Sequence, residues 1–199
     1  MKEKIINISK DLFLELGFKT VTMDDIANKM GISKKTIYSH FSNKTELVSS
    51  TINYIFEEVA KEAEIIYGSQ ENPVLEFFLI RDYITATLAK QNPIARYQLE
   101  KFYPDIFREI QLKQLELMIR CITENINRGK ALGWYRPAID TAFTSRMFYS
   151  AMHSVKDPVI FPPEEFSLDS LFDKVIKNFL FGICTPKGLE ILNNQFEIN

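Results

Sequence analysis

Hydroxyl and basic side chains are concentrated between Ser33 and Lys44, a short distance after Thr22. Lysine pairs with phosphate oxygens or with guanine, threonine offers base edges a methyl group and a hydroxyl, and tyrosine reaches a phosphate oxygen. No acidic residue occurs from Ile26 to Thr45, whereas four lysines do. We therefore predict a DNA-contacting surface made of Thr22, Ser33, Lys34, Lys35, Thr36, Tyr38, Ser39, His40 and Lys44.

A short helix is predicted immediately before this run. Apolar residues recur at helical spacing over residues 23–30. Thr22 and Asp25 have the spacing of a capping box, in which each side chain satisfies a backbone N–H at the helix start. Gly31 follows the last periodic residue and can adopt the left-handed conformation that ends a helix. The sequence therefore predicts a helix followed by a tight glycine turn.

The next helix is predicted to enter the DNA major groove. Ser33 can cap this helix, and Ile37 and Phe41, four residues apart, face inward. The hydroxyl and basic side chains, with His40, are then left on the outer face. Two helices joined by a glycine turn, the second with a polar outer face, are typical of a helix-turn-helix. The alternative is a solvated helix hairpin inside an all-α domain, which apolar spacing alone does not exclude.

The same region resembles the N-terminal signature of TetR-type transcriptional regulators. The matching positions are Phe13, Gly17, Phe18, Thr22, Ile26, Ala27, Gly31, Ile32, Ser33, Lys34, Thr36, Ile37, Tyr38, His40, Phe41, Lys44 and Leu47. They cover about the first quarter of the chain, and the remainder is similar to that family in length and helical character. The resemblance implies a DNA-binding domain over residues 1–47 and a helical effector-binding and dimerisation domain over residues 48–199.

Composition and motifs limit which other classes of function are compatible with the sequence. The 199 residues have a net charge of −2, so the protein is not a general polycation, and its basic residues are enriched locally near the amino terminus. Cys121 and Cys184 lack a CxxC or Cys/His neighbour and are expected to be reduced, buried thiols. His40 and His153 are the only histidines. Without a phosphate loop, metal-ligand spacing or catalytic triad, we expect no enzyme, cofactor or metal site.

The whole chain is predicted to be all-α. The first helix is expected over Lys4–Leu16, with Gly17 closing it and Phe18 folding back on Phe13. A second capping box, Asn43 with Glu46, opens a long helix. Gly129 and Gly133 are expected to break the helix that begins at Pro104. The later helices are expected at about Lys44–Tyr67, Pro73–Lys90, Pro93–Phe102, Pro104–Asn127, Asp140–Val155 and Leu168–Ile183, followed by a short apolar tail.

Aromatic and methionine side chains are abundant after residue 70. Most are expected to pack in a core, and some are predicted to line an apolar ligand cavity between helices. TetR-like proteins use this domain to bind an effector. Arg96, Gln98 and Arg146 are candidates to orient a polar end of a ligand, although surface positions are the simpler interpretation. The predicted pocket residues are Phe78, Tyr83, Tyr97, Phe102, Met118, Phe143, Met147 and Phe148.

The last two long helices have wide apolar faces. In TetR-like proteins the matching helices form a four-helix bundle with a second subunit. The resemblance therefore implies a homodimer held by about Thr141–Val155 and Leu168–Gly182. Two-fold symmetry would then supply two recognition helices to a palindromic operator. The predicted interface residues are Phe148, Met152, Leu168, Phe172, Val175, Ile176 and Phe179.

These patterns, together with what the resemblance implies, predict a homodimeric transcriptional regulator, a repressor released from double-stranded operator DNA by a small apolar or amphipathic effector. One alternative is a DNA-binding protein of the same build whose second domain only dimerises or binds a protein partner. A more remote alternative is an all-α enzyme or carrier. The amino terminus has no signal-peptide pattern and no run is long and apolar enough to span a membrane, so a cytoplasmic location is expected.

Overall fold

The computed structural model describes residues 1–69, 72–88 and 93–196. In these residues the regular secondary structure is helical, and the one extended pairing is an isolated bridge between Tyr135 and Cys184. The predicted all-α class is confirmed. The helices are α1 (Lys2–Leu16), α2 (Met23–Met30), α3 (Lys34–Tyr38), α4 (Lys44–Ser69), α5 (Pro73–Leu88), α6 (Pro93–Phe102), α7 (Pro104–Ala131), α8 (Thr141–Ser154), α9 (Leu168–Ile183) and α10 (Pro186–Phe196).

Prolines and capping side chains set most helix starts where the sequence predicts them. Asn72 Oδ1 accepts hydrogen bonds from the backbone N–H groups of Val74 and Leu75, at 3.0 and 3.2 Å, so Asn72 caps α5. Asp140 caps α8, where its carboxylate accepts from the N–H of Phe143 at 3.0 Å. The predicted cap Asn92 and the predicted end of α5 near residue 90 lie outside the described residues.

The end of α7 differs from the prediction. Gly129 is helical, and α7 continues to Ala131 before Gly133, with φ 71°, ends it. A Cβ at position 129 would lie 2.0 Å from Cδ2 of Tyr135, so this glycine admits the Tyr135 ring against the helix. The glycine serves tertiary packing here, which local sequence patterns do not reveal.

The chain forms two compact units. The first contains Met1–Lys61 and Thr87–Gln114, and the second contains Glu62–Ala86 and Leu115–Asn199. The structure thus groups more of the chain with the amino terminus than the boundary predicted after Leu47. Helices α4 and α7 each contribute residues to both units.

The core of the first unit joins α1, α2 and α3 to α6 and parts of α4 and α7. Phe13 and Phe18 stack with ring centroids 5.1 Å apart, as the sequence predicts. Burying each large apolar side chain contributes about 1.5–3 kcal/mol. The most deeply buried residues of this core include Ile5, Phe13, Ile26, Ile37, Phe41 and Leu47.

The second unit has an aromatic core and a buried carboxylate that pairs with a partly exposed arginine. The rings of Phe77, Phe148 and Phe179 contact one another, with centroid distances of 5.1 Å for Phe77–Phe148, 4.4 Å for Phe148–Phe179 and 5.3 Å for Phe77–Phe179. The fully buried Glu76 accepts hydrogen bonds from Arg128 Nη1 at 2.7 Å and from Asn125 Nδ2 at 2.8 Å. Burial raises the pKa of Glu76, while these hydrogen bonds oppose that shift.

Both cysteines are buried free thiols, as predicted, and lie in this second unit. Burial raises the pKa of Cys121 and of Cys184 to about 11 in each case. A thiol with so high a pKa is almost entirely protonated at neutral pH, which makes it a poor nucleophile.

Candidate nucleic-acid interface

The start of α2 is fixed by the predicted capping box. Thr22 Oγ1 accepts from the N–H of Asp25 at 3.1 Å. In return, Asp25 Oδ2 accepts from the N–H of Thr22 at 2.8 Å and from its hydroxyl at 2.7 Å. These hydrogen bonds from Thr22 hold the pKa of Asp25 below its usual value. Thr22 is exposed, so its position at the outer end of α2 is defined without removing it from solvent.

A left-handed glycine turns the chain from α2 towards α3. Gly31 has φ 64° and ψ 31°, and its N–H donates to the carbonyl of Asn28 at 3.2 Å. The N–H of Ile32 donates to the carbonyl of Ala27 at 3.1 Å. These hydrogen bonds satisfy carbonyls at the end of α2 and confirm the predicted turn.

Ser33 begins α3 as predicted. Its Oγ accepts from the N–H of Thr36 at 3.1 Å and lies 2.9 Å from the Thr36 hydroxyl. At the other end, Ser39 Oγ donates to the carbonyl of Thr36 at 2.7 Å. The hydroxyls of Ser33, Thr36 and Ser39 therefore have partners within this turn of chain, and any contact that they make with DNA must share or replace those bonds.

The exposed side chains of α3 are those with the most direct access to a partner. Lys35 is exposed, as is Tyr38, 44% of which is accessible to solvent. Lys34 is also exposed but its Nζ donates to Asp24 Oδ2 of α2 at 2.8 Å, which raises the pKa of Lys34. Ile37 is fully buried on the opposite side of the helix. The polar outer face predicted from the sequence is thus present.

One placement on this helix is corrected. His40 was expected on the recognition helix, but α3 ends at Tyr38. His40 lies in the following turn, where its N–H donates to the carbonyl of Ile37 at 2.9 Å. The inward position of the nearby Phe41, which is buried, comes from this turn rather than from a continued helix.

Lys44 lies in the first turn of α4, the position predicted for a phosphate contact. Asn43 Oδ1 accepts from the N–H of Glu46 at 2.8 Å. The Glu46 carboxylate binds the N–H and hydroxyl of Ser42, at 2.7 and 2.6 Å, and not the backbone of Asn43 as the predicted capping box requires. Lys44 Nζ donates to the carbonyl of Lys19 at 3.1 Å, and partial burial together with the charge of Lys19 lowers its pKa.

Comparison with known proteins identifies this arrangement. Residues 5–51 match the family model described as bacterial regulatory proteins, tetR family. The amino-terminal domain is a TetR-family domain. The biofilm operon icaADBC HTH-type negative transcriptional regulator IcaR of Staphylococcus epidermidis is 38% identical over 56 residues, which are 28% of this chain and 30% of IcaR. The chain thus matches less than a third of the length of that curated relative.

Solved structures share the fold over nearly the whole chain. A transcriptional regulator from Cytophaga hutchinsonii has a TM-score of 0.79 at 18% identity, covering 92% of this chain and 98% of its own. SmeT, the repressor of the Stenotrophomonas maltophilia multidrug efflux pump SmeDEF, has a TM-score of 0.70 at 19% identity, covering 94% and 91%. The TetR-family domain is therefore followed by helices in the same arrangement as in those regulators.

The structure does not bring all of the predicted pocket residues together. Tyr97 and Phe102 belong to the first unit and are exposed. In the second unit, Phe78 and Phe148 are buried, Tyr83 and Met118 are half-buried, and Phe143 and Met147 are exposed. The candidate polar residues are also engaged elsewhere. Arg146 Nη1 donates to the carbonyl of Ala142, Arg96 lies over the Phe107 ring, and Gln98 contacts the backbone of Lys19.

The predicted dimer residues lie on different sides of their helices. Phe148, Met152, Phe172 and Ile176 are buried within a single chain, whereas Val175 and Phe179 are half-buried and Leu168 is exposed. The most exposed large apolar side chains of α8 and α9 are Phe143, Met147 and Phe181, with 63%, 54% and 45% of their surfaces accessible, compared with 37% for Leu168. The sequence shows that these helices are apolar on more than one side, but not which side the chain itself covers.

None of the helices in the described part of the chain combines the length and the low charge that a bilayer-spanning segment requires.

Proposed function

We propose that the protein is a cytoplasmic, homodimeric transcriptional regulator rather than an enzyme, and that it acts as a repressor released from a palindromic DNA operator by a small apolar or amphipathic effector. The observation that carries this proposal is the helix-turn-helix of a TetR-family domain, with Lys35 and Tyr38 projecting from α3 into solvent.

The arrangement suits DNA because the residues proposed to contact base edges and the residue proposed to contact a phosphate lie on different helices. Lys35, Thr36 and Tyr38 lie on α3, where side chains of a recognition helix reach base edges and nearby phosphates. Lys44 lies at the start of the 26-residue α4, where the helix dipole and free N–H groups favour a phosphate. Base contacts give sequence preference and phosphate contacts fix the register of the protein on the duplex.

A dimer is supported by the proposed operator geometry and by the exposed apolar face of the second unit. Two recognition helices bind successive half-sites when they lie about 34–36 Å apart or at a multiple of this distance. Phe143 and Met147 of α8 and Phe181 of α9 provide exposed apolar surface for such a dimer. We therefore move the proposed contact from the buried residues Phe172 and Ile176 to these exposed ones.

An effector is supported by the shared fold and by the composition of the second unit. SmeT, which has the same fold, has been solved in a complex with triclosan. Phe78, Tyr83, Met118 and Phe148 of the second unit remain the proposed contacts for an apolar ligand in this chain. Because α4 has residues in both units, a ligand that prefers one tilt of α4 can change the separation of the recognition helices without touching DNA.

The decisive experiment selects bound duplexes from a random DNA pool and then measures the affinity of variants for the selected operator. Lys35→Ala, Thr36→Ala and Tyr38→Phe are each expected to cost about 1–3 kcal/mol of binding free energy, with the fold retained. Lys61→Ala removes the same charge from an exposed position of α4 and serves as the control. Wild-type affinity in all three α3 variants would refute the assigned interface, and failure to select any sequence would refute the proposed function.

A further inference from the structure

The segment between α1 and α2, residues 17–22, is bound by one side chain of α6. Gln98 Oε1 accepts from the N–H of Lys19 at 2.7 Å and from the N–H of Thr20 at 3.4 Å. Its Nε2 donates to the Thr20 hydroxyl at 3.2 Å. A single carboxamide therefore acts as donor and acceptor towards two consecutive residues of this segment.

The backbone of the segment is shaped to admit that carboxamide. Gly17 has φ 95°, a conformation that L-residues rarely adopt. A Cβ at this position would lie 2.4 Å from Gln98 Oε1. The φ of Gly17 thus favours glycine, and a Cβ at this position would displace the Gln98 carboxamide from its place against the segment.

Apolar contacts hold α6 against the core of the first unit. The hydrogen bonds of Gln98 then fix the position of α6 relative to residues 17–22. Ala95 and Leu99, on either side of Gln98, are buried in the core of the first unit. Lys19 Nζ lies 5.0 Å from the centroid of the Phe102 ring, at the end of α6. Apolar packing tolerates small sliding movements, whereas three hydrogen bonds to one carboxamide do not.

The segment that Gln98 holds leads directly to two proposed DNA contacts. It ends at Thr22, which caps α2, and the carbonyl of Lys19 accepts a hydrogen bond from Lys44 of α4. We infer that Gln98 is a positioning residue for DNA binding: it orders residues 17–22 and thereby sets the placement of Thr22 and Lys44. This inference rests on the proposed function.

The first test observes the contact without DNA. Amide hydrogen exchange at Lys19 and Thr20 is expected to accelerate in Gln98→Met, which keeps the side-chain volume and removes the hydrogen bonds. Gln98→Glu keeps the acceptor and is expected to retain most of the protection. Gln114→Ala, at an exposed glutamine of α7 in the same unit, should leave these amides unchanged.

The second test measures operator affinity over a range of salt concentrations. Gln98→Met is expected to weaken binding by about 2- to 30-fold, the usual range for residues that act through others. Because displacement of Lys44 weakens its proposed phosphate contact, the dependence of log affinity on log salt should also fall in Gln98→Met, by no more than the loss of one phosphate contact, about 0.9. Lys44→Ala, which removes this contact outright, should reduce the slope by about 0.9. A purely structural role would lower thermal stability while leaving both the operator affinity and the salt slope of the folded protein at their wild-type values.

The outcomes distinguish the inference from the function on which it rests. Wild-type affinity in folded Gln98→Met, or a salt slope reduced by clearly more than in Lys44→Ala, would overturn the positioning role and leave the regulator assignment intact. A wild-type protein that retains no duplex would overturn both. If Gln98→Met does not fold, unprotected Lys19 and Thr20 amides in folded Gln98→Glu would count against the inference.

Discussion

At the scale of single residues, two carboxylates stabilise the chain on either side of α3. Asp25 accepts hydrogen bonds from Thr22, and Glu46 accepts hydrogen bonds from Ser42. Each set of bonds holds the pKa of its carboxyl below the ordinary value, with the side-chain hydroxyl as the largest cause. A carboxylate with a lowered pKa stabilises the folded state only while it is ionised.

We expect the helix-turn-helix to lose stability in acid. The contribution of Asp25 is complete above its ordinary pKa of 3.8 and is lost as the pH falls through the lower value of the folded state. Asp25→Asn should therefore destabilise the protein at neutral pH and flatten the dependence of unfolding free energy on acid pH. Denaturant titrations across the acid range measure this effect.

The control for this experiment is Asp11→Asn, which removes an exposed carboxylate from α1. It should change neither the stability at neutral pH nor the acid slope by as much as Asp25→Asn does. An acid slope that Asp25→Asn leaves unaltered would show that Thr22 does not hold the carboxylate in solution.

Tyr135 provides a second prediction at this scale. Its side chain is fully buried, and its hydroxyl has no hydrogen-bond partner among the described residues. An unsatisfied buried hydroxyl costs about 1–3 kcal/mol. Tyr135→Phe is therefore expected to raise the free energy of unfolding by about 1 kcal/mol, whereas Tyr97→Phe, at an exposed tyrosine, should have little effect. Destabilisation by Tyr135→Phe would instead show that an internal water satisfies the hydroxyl.

At the scale of helices, the two faces of α9 are expected to have different roles. The exposed face should hold the dimer together, and the buried face should stabilise the fold of the single chain. Phe172 is buried within the chain and Phe181 is exposed, although both are phenylalanines of the same helix. Phe181→Glu is expected to yield a folded monomer, while Phe172→Glu should unfold the second unit because it buries an unpaired charge. Analytical ultracentrifugation together with circular dichroism distinguishes the two results.

The matched variant for this prediction is Met147→Glu on the exposed face of α8, which should also give a monomer. Replacement at Phe179, which is half-buried, is expected to combine both effects. Unchanged dimers in both Phe181→Glu and Met147→Glu would place the association surface elsewhere.

Helix starts were predictable because their causes are local. Thr22, Ser33 and Asp140 each lie three residues before the N–H that they cap, so the spacing alone indicates the contact. The continuation of α7 through Gly129 was not predictable, because its cause is the ring of Tyr135, which packs there only in the folded chain. The same reasoning explains why Gln98 was considered for a ligand rather than for the backbone of Lys19.

In the candidate DNA-binding site, too, features with a local cause were predictable, and features that depend on contacts between helices were not. The polar outer face of α3 follows from the types and spacing of its residues. The engagement of Lys34 by Asp24 and of Lys44 by the carbonyl of Lys19 depends on contacts between different helices. Which face of α8 and α9 is exposed depends on how much apolar surface the chain itself covers, and a periodic pattern carries no information on that.

At the scale of the whole molecule, DNA and effector are expected to oppose each other reciprocally. If an effector lowers operator affinity by some factor, bound operator must lower effector affinity by the same factor, commonly about 5- to 150-fold. The measurement is operator affinity with and without a ligand found by metabolite screening, paired with ligand affinity with and without operator. A ligand that binds the second unit equally well in both states would leave that unit as a dimerisation module.

The division of the chain into units also limits how this protein can exchange parts with its relatives. The first unit is discontinuous, because Thr87–Gln114 returns to it after the chain has entered the second unit. A chimera joined at a single point after residue 47 or 61 would leave behind Gln98 and the apolar face of α6 that covers the first core. Recombination that preserves specificity for an operator while importing a new sensor must therefore carry two separate stretches of sequence together. Under the proposed function, point substitution in the second unit is therefore the simpler route to a new effector.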